Sequence, residues 1–259
     1  MIMNKLFPMS QDRHGDKYWT RAADWSFAAG QSLVPVVTLE LPHAVGEMPL
    51  AFVPHKDSWI LVSVLGTEPT HSLAVDVNGR WRPGHFPALI ATYPFVLVDS
   101  QEDSQVVAVD EGSGLVTDDP ASGEPFFDSS GEPDKQVQEV VSHLKRIAAS
   151  RMATRRAVQA IADADLLEPW DITVPLPSGT KKLEGLYYAS EARLREKDPD
   201  TLKSLLDAGA LVIIFSQLLS MHQTRRLSLW AKEDAGEPKD TQDIDLDALF
   251  GNDDILRFE

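Results

Sequence analysis

Residues 137–148 read VQEVVSHLKRIA, and the apolar Val137, Val140, Val141, Leu144, Ile147 and Ala148 recur three and four apart. That spacing lays one apolar stripe along an α-helix. Upstream, the apolar residues come instead in short runs: Val34 with Val36-Val37-Thr38-Leu39 up to Pro42, Trp59 to Leu65, Leu73 to Val77, Phe95 to Val98, and Val106 to Val109. Such runs suit strands buried on both faces, and a helix of equal length carries a similar signature. Asn78-Gly79, between Leu73–Val77 and Arg80-Trp81, signals a hairpin. The change of period near residue 134 predicts an α+β protein with a β-rich, mostly antiparallel first half and a helical second half.

The remaining punctuation follows from this division. Residues 110–134 are rich in Gly, Pro, Ser and Asp and read as a long loop around Phe126-Phe127. A second helical segment follows Thr154 and ends before Pro169. Thr173-Val174-Pro175 and residues 182–188 flank Ser178-Gly179 as one further hairpin. Ser190 or Glu191 starts a short helix, Asp200 caps another that stops near Gly209, and 211–230 form an apolar helix with Arg225 and Arg226 at its end. The expected organisation is one α+β domain over 1–232, with a β-rich part to about 110, a loop over 110–134 and helices over 134–232. An acidic, disordered tail over 233–259 follows.

The 259 residues carry 43% apolar and 25% charged side chains, enough for a sizeable core. Cysteine is absent, which excludes disulfides, thiolate metal sites and Cys nucleophiles. The net charge is −16, of which the stretch from Glu233 to Glu259 supplies −8, and this argues against nucleic acid as a partner. No run of apolar residues is long enough for a transmembrane helix. The opening residues lack a signal-peptide pattern, which points to the cytoplasm, with signal-less secretion to the surface as the alternative.

Chemical signatures are sparse. No Gly-x-Gly-x-x-Gly or phosphate-binding loop occurs, and Gly112-Ser113-Gly114 lacks the setting of a nucleophile elbow. His43 and Glu47 are four apart, but Pro42, Gly46 and Pro49 argue against a helix there. Asp12, His14 and Asp16 alternate and read more readily as a solvated loop than as a metal site. No metal or cofactor is expected. Arg146, Arg151, Arg155 and Arg156 cluster on helical sequence. They read as a solvated face, as a dock for an acidic partner or phosphate, or as a dock for the chain's own tail. Trp19, Trp25, Trp59, Trp81, Phe86 and Tyr93 are dense enough to line a sugar or peptide groove, although aromatics more commonly fill cores. The residues assigned to a groove are Trp59, Asn78, Trp81, His85, Phe86, Tyr93, Phe95, His43 and Glu47. The apolar 211–230 segment reads as buried in its own domain before it reads as an oligomer contact.

Asn78-Gly79-Arg80-Trp81-Arg82-Pro83, Phe86-Pro87-Ala88-Leu89-Ile90 and Tyr93-Pro94-Phe95 resemble the SapC family of bacteria. So do Pro42 with 47–53, Phe127-Asp128 with 131–133, 166–169, 183–187, 191–194, Leu202, 209–211 and 218–221, so that the likeness runs from about Pro35 to Trp230. The resemblance implies a surface-layer-related protein and brings no catalytic residues. Some family members lie beside genes for outer-membrane receptors, cupin-like oxygenases and flavin-dependent halogenases. Two functions follow as expectations. The first is a non-enzymatic binding or assembly protein of a surface-layer or uptake system, recognising a peptide, glycan or protein. The alternative is an enzyme or enzyme accessory acting on a small molecule or peptide.

Overall fold

A computed structural model describes residues 5–99 and 105–236. The expected tail over 233–259 falls mostly outside the described residues. The fold is α+β, and every strand pairing among the described residues is antiparallel. The largest sheet orders five strands as Leu167–Pro169, Tyr187–Ala189, Leu50–His55, Ser58–Val64 and Leu33–Pro35. A second sheet orders Leu6–Pro8, Gln105–Asp110 and Phe95–Asp99. Short strands Val116–Thr117 and Glu124–Pro125 flank Tyr18–Trp19 inside the region expected as loop, and Ile172–Leu176 pairs with Gly179–Leu183 as the expected hairpin.

Several local expectations are corrected. Residues 36–39 are not strand: after Pro35 the chain enters a 3-10 turn, Thr38–Glu40, and a helix, Leu41–Ala44. Pro42 is tolerated there because a first helical turn has no use for its missing N–H. Leu50–His55 is a strand despite Pro54, which pairs near the hairpin tip with Trp59. Leu73–Val77 forms only the isolated bridge Val75–Trp81. The second half also does more than add a hairpin. Its Tyr187–Ala189 strand meets Phe52 and completes the main sheet. The cap expected at Asp200 is Asp198, whose carboxylate accepts from Asp200 and Thr201 N–H ahead of Pro199. The apolar 211–230 segment is broken into Ala210–Ser220, a 3-10 turn at Met221–Gln223 and Thr224–Asp234.

The two helices expected around residues 137–161 are one, Lys135–Asp163, whose 29 residues span about 43 Å. Asp134 caps it by accepting from Gln136 N–H. Its length lets it serve two cores. Val137, Leu144 and Ile147 pack with Trp19, Phe95, Val109 and Phe126, whereas Ala157, Val158 and Ile161 pack with the main sheet. Helix Ala210–Ser220 packs beside the long helix and against the Leu50–His55 and Tyr187–Ala189 strands of that sheet. The buried Gln217 accepts from Ala189 N–H at 3.0 Å and donates to Leu50 O at 3.2 Å, and Ser220 Oγ accepts from Leu50 N–H at 2.9 Å. The other face of this helix is solvent-facing at Val212, Phe215 and Leu219, so the segment is buried on one side only. Among the described residues no single helix is long and apolar enough to cross a membrane.

The second core holds an acid-sensitive group. His14 is fully buried, not in a solvated loop, with its ring 5.0 Å from Phe126 and its Nε2 3.3 Å from Glu111. Burial holds its imidazole below the ordinary 6.5, against the opposing pull of Ser10 and Glu111. Burial likewise lowers His143, with Arg146 adding to it. The unfolded chain therefore binds these protons first as pH falls. Their contribution to stability is present above the ordinary imidazole value and is lost below it. The urea midpoint should fall between pH 7 and pH 5, and His14→Gln should flatten that slope. A slope unchanged in the variant would show that His14 does not titrate in this way.

Candidate functional site

A cavity of about 410 Å³ opens at the seam between the two cores. Trp25, Phe27 and Tyr93 form its aromatic wall, Trp19 its floor, and Arg21, Thr92, Glu139 and His143 supply polar groups. The wall continues outward as stacked rings. Trp25 lies on Phe86 with centroids 4.1 Å apart, Phe27 lies on Tyr93 at 4.3 Å, and Trp81 contacts both Trp25 and Phe86. Glu139 and His143 reach the same cavity because residues four apart share a helix face.

The turn at residues 76–80 sets the position of Trp25. Asp76 Oδ1 accepts from Asn78 and Arg80 N–H at 2.8 Å each, and Gly79 N–H donates to Asp76 O. Gly79 alone of the turn has positive φ, at 76°, so this is a three-residue loop and not the type I′ turn that Asn-Gly suggests. Gly79 O then accepts from Trp25 N–H at 2.8 Å. A Cβ on Gly79 would lie 2.6 Å from Ser26 Oγ and 3.0 Å from Asp24. Gly79→Ala should cost about 1–3 kcal/mol in urea unfolding, through the left-handed backbone and this contact. It should also displace Trp25, and an unchanged near-ultraviolet circular dichroism spectrum would contradict that. Arg82 ties the same loop to the C-terminal helix by donating to Leu73 O and to Asp234 at 2.5 Å each.

Behind the rings sits a buried carboxylate. Glu40 is 4% exposed; its Oε1 accepts from Val37 N–H at 2.8 Å, and its Oε2 accepts from Ala88 N–H at 2.7 Å and lies 3.0 Å from His85 Nε2. His85 O accepts from Trp81 Nε1 at 2.8 Å, and its ring stacks at 5.8 Å with His43. Glu47 accepts from Gly84 N–H at 2.8 Å and pairs with Arg226 at 3.2 Å. Tyr93 donates to the buried Asp110 at 3.1 Å, and burial, then that carboxylate, pushes its hydroxyl up to about 12.

The structure thus brings Trp81, Phe86 and Tyr93 into one ring array and sets His43, Glu47 and His85 beside it. Asn78 is exposed on the turn. Phe95 is 1% exposed in the second core, where no surface ligand reaches it. Trp59 lies elsewhere, against Tyr187. Sequence reasoning counted Trp19 and Trp25 in the aromatic density but left them, with Arg21, Phe27, Glu139 and His143, out of the residues assigned to the groove. The available signals were the Trp25-x-Phe27 spacing and the pair Glu139/His143 at helical spacing. Among the described residues no three His, Asp or Glu side chains converge as a metal ion requires.

No curated protein and no solved structure matches this chain. The SapC family profile matches residues 9–227, a span that includes every residue of the groove. The chain belongs to the SapC family.

Proposed function

We propose that the protein is a non-enzymatic binding protein of a bacterial surface-layer or uptake system. Its aromatic groove takes a ring-bearing ligand, a sugar first of all. The observation that carries this reading is the ordered ring wall of Trp25, Phe27 and Tyr93 beside Arg21, Glu139 and His143. Flat rings offer C–H faces of a sugar a large contact at little entropic cost, and the polar rim meets its hydroxyls. The surface or uptake setting is the one the family resemblance implies.

The test is isothermal titration with tri-N-acetylglucosamine, cellotriose and maltotriose, and with a Trp-containing peptide as comparison. Trp25→Ala should weaken the bound trisaccharide by about 2 kcal/mol, roughly thirtyfold, as loss of a central aromatic contact does. Trp25→Phe should keep most of the affinity. Binding of the peptide alone would replace the sugar by an aromatic side chain as the ligand.

One observation favours a second reading, an enzyme. Glu40 orients His85 as a buried carboxylate orients a general base, and the His85 side chain remains 17% exposed. Turnover of a bound ligand that His85→Gln abolishes, with affinity intact, would establish that reading over the first.

A further inference from the structure

The chain holds a second cavity, of about 470 Å³, that differs in chemistry from the aromatic groove. It opens between the Leu50–His55/Ser58–Val64 hairpin, the Phe95–Asp99 strand and the second half of the long helix. Trp59, Leu61, Leu89, Leu97 and Val158 give it an apolar interior. Lys56, Arg151 and Arg155 supply its cationic lining, and His55 stands beside them. Leu89 belongs to this cavity, whereas the next residues, Ile90 and Ala91, line the groove.

The charge of the lining is the informative feature. The chain has 40 acidic and 24 basic residues, yet no Asp or Glu of the described residues lines this cavity. Arg151 and Arg155 are four apart on one helix face. Neither they nor Lys56 has an ion-pair partner among the described residues. Two guanidinium groups with no ion-pair partner among the described residues, set beside an apolar chamber, suit an anion whose remaining surface is apolar. A carboxylate takes two parallel N–H donors from a guanidinium, and an apolar body gains by leaving water. The volume suits one small molecule.

We propose that this cavity is a binding site for a monocarboxylate with an apolar chain, the carboxylate held by Arg151 and Arg155 and the chain lying over Trp59, Leu89 and Leu97. The site is independent of the aromatic groove, so it stands or falls apart from the function proposed above. It also gives Trp59 and part of the arginine cluster a role that the groove does not.

The test is isothermal titration of the full chain with decanoate below its micelle concentration, beside decan-1-ol for the chain alone and acetate for the head alone. Decanoate should bind saturably at one site. Decanol and acetate should each bind at least about tenfold more weakly, the loss expected when a charge-assisted hydrogen bond or the apolar contact is missing. Arg151→Gln/Arg155→Gln should lower decanoate affinity by at least the same factor and leave the urea midpoint unchanged, since neither side chain is buried in the core. Trp25→Ala should bind decanoate as the parent does. Decanol binding as tightly as decanoate, full affinity in the double variant, loss of affinity in Trp25→Ala, or no saturable binding would each overturn the proposal.

Discussion

Glu40→Ala should lose about 3–5 kcal/mol of stability, within the range expected when two buried backbone N–H donors are left unpaired at roughly 1–3 kcal/mol each. The carboxylate accepts from two backbone N–H groups and faces His85 Nε2 from a site that is 4% exposed. Alanine would strand Val37 N–H and Ala88 N–H away from water, and each stranded donor carries its full desolvation cost. For a chain of this size the loss corresponds to a fall in Tm of about 6–20 °C. Glu40→Gln keeps an acceptor oxygen and should lose less. Because Glu40 ties residues 37–40 to 85–88, the alanine variant should also loosen Phe86, on which Trp25 stacks. An unfolding free energy from urea within about 1 kcal/mol of the parent would show that the three contacts do not carry this weight.

Phe52→Ala should cost about 3–5 kcal/mol, the range for deleting a fully buried aromatic side chain and leaving its cavity. Phe52 is 0% exposed, and its strand runs through the middle of the main sheet. Its backbone pairs with Leu61 on one side and with Tyr187 on the other. The Tyr187 pairing is where the second half of the chain joins the sheet of the first half, so the substitution falls where both halves meet. Amide exchange should accelerate in Leu50–His55 and Tyr187–Ala189 together. Faster exchange in only one of these strands would mean that the two halves are not coupled through this residue.

The start of the long helix could be read directly because its apolar stripe is local. The break expected near Thr154 does not occur. Thr154 Oγ1 donates to Ser150 O within the helix and accepts from Thr38 N–H, so a residue that weakens helices is used to dock one. The hairpin expected around Ser178-Gly179 was legible for the same local reason, although Gly179 itself starts the second strand and the turn lies one residue earlier. Strand Leu50–His55 was hidden by Pro54, whose missing donor falls where only one neighbouring strand is paired. Glu40 was hidden more deeply. Its donor Ala88 is 48 residues away and its partner His85 is 45 away, and no local pattern marks a carboxylate that such distant groups will enclose.

The groove was legible as an aromatic density but not as a geometry. Trp81, Phe86 and Tyr93 converge because the 76–80 turn and the Ala88–Ala91 helix bring their rings onto Trp25 and Phe27. Phe95, only two residues beyond Tyr93, enters the second core instead, because Tyr93 lies in the turn before the strand and Phe95 begins the strand Phe95–Asp99. Trp59 is held away from the groove lining by its pairing with Pro54 and its contact with Tyr187. Nearness in sequence therefore identified the region and missed which of its rings face the cavity.

The most direct test of the groove is a ¹H–¹⁵N titration of the full chain with the three trisaccharides, in which each of the six tryptophans reports through its own indole N–H. One sugar should shift the Trp25 indole signal and the amides of Tyr93 and His143 together and saturably, and Trp25→Ala should remove the effect. Shifts confined to the Trp59 indole, or none at all, would contradict the assignment of this groove as the binding site.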